Sequence, residues 1–178
     1  MDEVETDDSD FDFLVLNEVM TAERDPSQLS IYRLNVNGRD LGKFRSSGIL
    51  IATGTGSTGW LYSAKAIGAD RVTQIKKALG MKAENDNSSD LIDYEIAKRI
   101  NDKTIFPADS AQMYYFVREG FQETNISQGF CQNLTLTSEM LGGVVEIDGH
   151  TTTHLGMGDR FSLSVNPKHH LKCLKFIL

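Results

Sequence analysis

Three glycines, Gly54, Gly56 and Gly59, sit among four hydroxyls, Thr53, Thr55, Ser57 and Thr58, in the stretch "IATGTGSTGW". Glycines leave backbone N–H groups open to close approach by a ligand, and the hydroxyls add groups that donate or accept. Where such a loop opens a helix, the unpaired amides of the first turn favour an anion or the polar edge of a ligand. The spacing also fits G-x-G-x-x-G, the turn of a Rossmann dinucleotide site. That site needs a strand–loop–helix–strand unit of about 30 residues, with an acid about 20 residues further on. Here the helical stretch runs on into "KKALGMKAENDNSSD", and no second strand follows. A phosphate-binding P-loop fails more simply, because no G-K-[ST] follows. The residues alone leave a ligand loop and a purely structural turn both open.

A second polar feature is Asn17-Glu18, which interrupts the apolar run from Phe13 to Met20. Alternation along a strand turns one of the two inward, and a buried polar group without a partner costs about 1–3 kcal/mol. The pair either bonds to a nearby loop or faces a ligand. Asp148-Gly149 reads as a hairpin turn. Arg118 beside Glu119 reads as a surface residue, with a phosphate contact as the alternative. His150 and His154, four apart on a strand or loop, do not share a face as they would on a helix, so no metal site is assigned. His169-His170 reads as exposed. Cys131 and Cys173 could pair, but no cysteine framework surrounds them, and reduced thiols are the simpler reading.

The elements that would hold these groups are mostly strands. Phe13–Met20 reads as a buried strand. Leu29 to Val36 alternates and ends in Asn37-Gly38, a hairpin signal, so residues 39–45 return antiparallel. Ser46-Ser47-Gly48 is a turn, and Ile49–Thr53 is the strand that feeds the glycine loop. From Thr58 to Leu79 the pattern is helical. After the polar loop 83–90 a second helix covers Leu91–Ile100, capped by Ser89 or Asp90. Beyond Pro107 come strands at Met113–Val117, Phe130–Thr137, Val144–Ile147, Phe161–Val165 and Leu171–Leu178. Strands grouped on either side of a helical insert predict an α+β, mainly β fold: an antiparallel β-sandwich-like domain with two or three inserted helices.

The net charge of −7 is concentrated at one end. Residues 1–12 hold seven acids and no base, whereas the remaining 18 acids balance the 18 Lys and Arg. The expected organisation is an acidic disordered tail over 1–12 and one domain over 13–178. No basic stripe exists, which argues against a nucleic-acid partner. No stretch is apolar for long enough to span a bilayer. The acidic start is the opposite of a signal or transit peptide, so no targeting segment is read here, and the sequons at Asn87, Asn125 and Asn133 carry little weight.

Taken together, "LNEV" (16–19), a hairpin, and "SSGILIATGTGSTGWLYS" (46–63) resemble the NAD kinase family. That family shows an N-E pair on a strand, then an acidic D-G and a T-P-T-G-S-T-A-Y segment. Thr53, Thr55, Gly56, Ser57 and Thr58 match that segment. Gly54 replaces its Pro, Gly59 its Ala and Trp60 its Tyr. Ser47-Gly48 stands where the family has D-G, so one substrate-contacting acid is missing. These departures, with "YYFVREG" and "VVEIDGHTTTHLGMGD", look like the mitochondrial branch of the eukaryotic enzymes.

The resemblance implies transfer of a phosphoryl group from ATP, with Mg2+, to the adenosine 2′-hydroxyl of NAD, giving NADP. It places 13–178 as the C-terminal, NAD-binding domain. The G-G-D-G motif, whose Asp is the family's base, does not occur in this sequence. No catalytic residue is therefore assigned to the chain, which is expected to bind rather than turn over. The implied NAD contacts are Asn17, Glu18, Thr53, Thr55, Gly56, Ser57, Thr58, Gly59, Trp60, Ser63 and Asp148. The resemblance also implies a homodimer, NAD or NADP as the bound partner, and a mitochondrial matrix location, with the cytoplasm otherwise. The rival classes are a non-catalytic regulatory or dimerisation module of the same fold and a Rossmann-type oxidoreductase.

Overall fold

The computed structural model describes residues 13–81, 87–120, 126–166 and 168. The acidic tail, the closing strand expected at 171–178, His169-His170 and the Cys173 thiol lie outside them.

Two antiparallel sheets form a sandwich. The six-stranded sheet has the order β6-β5-β4-β1-β8-β9 and the four-stranded sheet β10-β7-β2-β3. The strands are β1 (Glu18–Glu23), β2 (Ser30–Val36), β3 (Arg39–Ser46), β4 (Gly48–Ala52), β5 (Met113–Arg118), β6 (Gln128–Cys131), β7 (Asn133–Ser138), β8 (Gly143–Ile147), β9 (Thr151–Leu155) and β10 (Arg160–Ser164). Alternating residues from both sheets make the main core, including Val19, Ile49, Ile51, Tyr115 and Val145 from one and Tyr32, Leu34, Phe44, Leu134 and Leu136 from the other. Tyr32 is fully buried there, and its hydroxyl shares a 2.8 Å hydrogen bond with the Ser46 hydroxyl. The expected mainly β sandwich with inserted helices is the fold observed.

Between β4 and β5 lie a 3-10 turn (Gly56–Thr58) and the helices α1 (Trp60–Lys65), α2 (Ala69–Ala78) and α3 (Asn87–Asp102). Helix α1 covers the outer face of the six-stranded sheet. There Leu61 and Phe106 join Met20, Leu50 and Ala52 in a second core, with Trp60, Tyr114 and Phe116 packed at its margin. Helices α2 and α3 form a hairpin in which Val72 and Ala97 are buried and Asp93 accepts hydrogen bonds from Thr73 and Lys76.

Several expectations shift. The strand placed at 13–20 begins only at Glu18. The amides of Leu16, Asn17 and Glu18 donate to the Asp148 carboxylate rather than to a neighbouring strand, and Phe13, Leu14 and Leu16 are exposed. The helical stretch 58–79 is two helices. Ala66 and Gly68 are extended between them, and the Asn101 side chain satisfies both the N–H and the C=O of Ile67 at 2.9 and 3.0 Å. Helix α3 starts at Asn87 rather than Leu91, so Ser89 and Asp90 lie inside it instead of capping it. The single strand expected at 130–137 is two strands in different sheets. Cys131 points inward, as do Leu134 and Leu136, and that odd spacing is a one-residue phase slip no continuous strand can hold. The slip falls at Gln132-Asn133, whose N–H groups both donate to the Asn37 side chain. The turn at 46–48 is likewise a crossing: β3 belongs to one sheet and β4 to the other. Both hairpin signals hold, with Asn37, Gly38, Asp148 and Gly149 at positive φ of 51°, 80°, 50° and 68°.

Candidate functional site

The glycine loop leaves the end of β4 and turns across the entrance of β1. Strand β1 pairs with β4 in the register Glu18↔Ala52. That register brings the Asn17-Glu18 pair beside Thr53. The Thr53 N–H donates to the Asn17 carbonyl at 2.9 Å. The Thr53 hydroxyl lies 2.6 Å from the Leu16 carbonyl and 3.2 Å from that of Asn17, and accepts the Gly56 N–H at 3.2 Å.

Close approach dictates two of the glycines. A Cβ on Gly56 would lie 2.2 Å from the Asn17 carbonyl oxygen, and one on Gly54 would lie 1.9 Å from the Pro107 carbonyl oxygen. Both contacts are with backbone, which cannot swing aside. Gly59 has no such constraint. Ser57 is fully buried. Its hydroxyl donates to the Gly54 carbonyl at 2.7 Å and accepts the Phe106 N–H at 3.2 Å. The segment 105–108 therefore clamps the loop from behind, a contact the sequence did not signal.

The loop thus has two sides. Gly54, Gly56 and Ser57 face the protein, while Thr55, Thr58 and Gly59 are exposed. Trp60 is half-buried against the second core, and Ser63 is exposed one turn along α1, its N–H bonded to the Gly59 carbonyl. Glu18 shares the outer face of the sheet with Met20 and Ala52 and so lies on the same side as α1 and Trp60.

Asp148 closes the other flank. Its carboxylate accepts the N–H of Leu16 at 2.9 Å, of Asn17 at 2.7 Å and of Glu18 at 3.1 Å, and its own N–H returns to the Glu18 carbonyl at 3.0 Å. Asp148 is therefore both a left-handed turn residue and an anchor for the start of β1. Burial, and next the Asp148 charge, push the Glu18 carboxyl above the usual range.

Among the described residues, neither the Asn17 amide nor the Glu18 carboxylate has a hydrogen-bond partner of its own. The loop is bonded to the backbone of the pair and leaves both half-buried side chains open. Arg118 lies apart from this cluster: its carbonyl receives the Ser47 N–H where β3 crosses to β4. The His150 ring contacts the Asp148 carbonyl at 3.0 Å. No group of three His, Cys, Asp or Glu among the described residues could hold a metal. The Cys131 thiol is buried and thereby pushed up to about 12. No helix among the described residues is long and apolar enough to cross a membrane.

Residues 16–70 match the family model described as the ATP-NAD kinase C-terminal domain. A rat protein, NAD kinase 2, mitochondrial, is 22% identical over 165 residues, 88% of this chain and 38% of its own length. The chain thus spans well under half the length of that relative. The fold is shared with the crystal structure of an NAD kinase from Archaeoglobus fulgidus in complex with ATP, at a TM-score of 0.51 and 16% identity, over 84% of this chain and 45% of that one. It is shared also with yeast NADH kinase complexed with NADH, at a TM-score of 0.56 and 12% identity, over 85% of this chain and 35% of that one. The family match falls on the segment that unites the Asn17-Glu18 pair with the glycine loop, and over that segment the chain is similar to the C-terminal domain of ATP-NAD kinases.

Proposed function

We propose that residues 13–178 form the NAD-binding part of an enzyme that transfers a phosphoryl group from ATP to the adenosine 2′-hydroxyl of NAD, giving NADP. The observation that carries this reading is the pair of open polar side chains, Asn17 and Glu18, held beside a glycine loop by hydrogen bonds that use only their backbone. An amide and a carboxylate that are half-buried and have no protein partner among the described residues suit a ligand that supplies one. The names of the relatives support NAD as that ligand and a mitochondrial setting for it.

In this reading Asn17 and Glu18 hydrogen-bond the nucleoside of NAD. Thr55, Thr58 and Ser63 offer hydroxyls to it, Gly59 lets it approach, and Trp60 supplies an aromatic edge. Thr53, Gly56, Ser57 and Asp148 act by shaping the loop and the start of β1. A carboxylate that serves as general base must reach the attacking hydroxyl, and phosphoryl transfer needs positioned charge around the phosphates. None of the residues described here is assigned either task. Magnesium supplies such charge in the family reaction. No group of three His, Cys, Asp or Glu among the described residues suits it, and Asp148 spends its carboxylate on three backbone amides.

Calorimetric titration of NAD into the chain tests the reading, with Asn17→Ala alongside. Saturable binding is expected, weakened about tenfold in the variant by loss of one hydrogen bond of about 1.4 kcal/mol, at an unchanged melting temperature. A variant that melts earlier yet binds NAD as tightly as the parent would assign Asn17 to the fold alone.

A further inference from the structure

The four-stranded sheet turns its inner face to the core and its outer face to solvent, and the outer face has a charge pattern of its own. Strand register places Arg33 opposite Lys43 on β3 and opposite Thr137 on β7, while Thr137 stands opposite Arg160 on β10. One row therefore runs Arg160, Thr137, Arg33, Lys43 straight across four strands. The inward neighbours Tyr32, Leu34 and Leu136 are buried, so all four members of the row point outward by alternation. The next row is Ser162, Thr135, Asn35 and Asp40. A concavity of about 400 Å³ lies over these rows, lined by Arg33, Asn35, Asp40, Thr135, Thr137 and Arg160.

The charges in it are unevenly matched. Glu139 accepts Arg33 Nε at 2.9 Å and also the Lys43 ammonium, which leaves the outer nitrogens of the Arg33 fork unused by that contact. Asp40 turns Oδ1 back to the Gly42 N–H at 2.8 Å. Arg160 has no side-chain partner among the described residues. Arg33 and Arg160 stand two strands apart, about 10 Å between their backbones, and each side chain reaches about half that distance or more. Thr137 stands between the two in the row, and the two forks can converge above it. Guanidinium forks match the paired oxygens of phosphate or carboxylate.

We propose that this concave face binds a small molecule through one oxyanion group, phosphate or carboxylate, gripped between Arg33 and Arg160 over Thr137. The site is on the far side of the sandwich from the glycine loop and stands independently of the function proposed for that loop. Its occupant would be an anionic small molecule, and the neighbouring Asn35, Thr135 and Ser162 groups suit a polar body attached to the anion.

The test is a titration followed by amide and arginine side-chain NMR at constant ionic strength. Inorganic phosphate and acetate are the two probes, and chloride is the control. Saturable shifts at Arg33, Thr137 and Arg160 are expected with phosphate or with acetate, and the tighter of the two identifies the anion class. Arg160→Ala, an exposed residue, should raise the dissociation constant about tenfold or more, the worth of one charge-assisted hydrogen bond. Arg71→Ala, on exposed α2, should leave it unchanged. Shifts that grow linearly without saturation, that chloride reproduces, or that survive Arg160→Ala would overturn the proposal.

Discussion

Asp148→Asn separates the anchoring of β1 from turn geometry. Asparagine tolerates the left-handed backbone at φ 50° at least as well as aspartate does. The side chain keeps one oxygen, which can still accept from Asn17 and Glu18. The Asp148 Oδ2 position becomes an NH₂ and faces the Leu16 N–H, now 2.9 Å away, donor against donor. Hydrogen bonds to a charged acceptor are worth about 1.5–3 kcal/mol each when buried, and Leu16 is exposed enough for water to recover part of the loss. We expect a net destabilisation of about 1–2 kcal/mol, which for a domain of this size lowers Tm by about 2–8 °C. The pH dependence supplies a second reading. Glu18 has a raised folded-state pKa, so its share of stability is fully present below its unfolded value near 4.5 and is lost as pH rises through the folded one. Burial, the larger cause, persists in the variant, but the Asp148 charge is gone, so less is lost. Asp148→Asn and Glu18→Gln each remove the repulsion between the two carboxylates, so at pH 7 their effects on stability should not add. Urea titrations of the two single variants and the double variant at pH 7 measure this. Additive effects would refute the coupling of Asp148 to Glu18, and an Asp148→Asn variant as stable as the parent would refute the anchor itself.

Further outcomes follow from single contacts. Gly56→Ala drives a Cβ to 2.2 Å from the Asn17 carbonyl oxygen, so it should displace the pair and abolish measurable NAD binding in the calorimeter, with a loss of about 2 kcal/mol or more of stability. Ser57→Ala strands the Phe106 N–H, while the Gly54 carbonyl keeps the Ser57 N–H at 3.3 Å; we expect about 1–3 kcal/mol less stability in denaturant, with little change in NAD affinity once the protein is folded. Thr21 is fully buried, and its hydroxyl has no partner among the described residues. Thr21→Val should raise the urea midpoint by the equivalent of about 1 kcal/mol, and a fall would show that an ordered water serves that hydroxyl. Trp60, the single tryptophan, is half-buried beside the loop, so NAD should quench or shift its emission saturably; binding seen by calorimetry with no change in emission would place the nucleotide elsewhere.

The sequence was most legible where short-range chemistry decides the outcome. Asn37-Gly38 and Asp148-Gly149 announce their turns because few residues accept positive φ, and the glycine loop announces itself because Gly54 and Gly56 must yield to passing backbone. It misled where a polar side chain far along the chain replaces a local partner. Phe13 to Leu16 has the composition of a strand, yet Asp148, over 130 residues away, takes the amides a strand partner would need. Asn37 stops one strand and starts another at Gln132, and Asn101 holds the break at Ile67 that separates α1 from α2. In each case one carboxylate or amide, remote in sequence, satisfies two or three backbone groups. Apolar periodicity carries no record of such a partner, because it reports which side of an element is buried and not where its hydrogen bonds end. The same property shapes the candidate site. The glycine pattern marked the loop, but the assignment of Ser57 inward and Thr55, Thr58 and Ser63 outward depends on Phe106 lying behind it, and Asp148 proves to act on the backbone of the Asn17-Glu18 pair. That arrangement leaves the two side chains of the pair, and not the acid that holds them, as the polar groups free to meet a ligand.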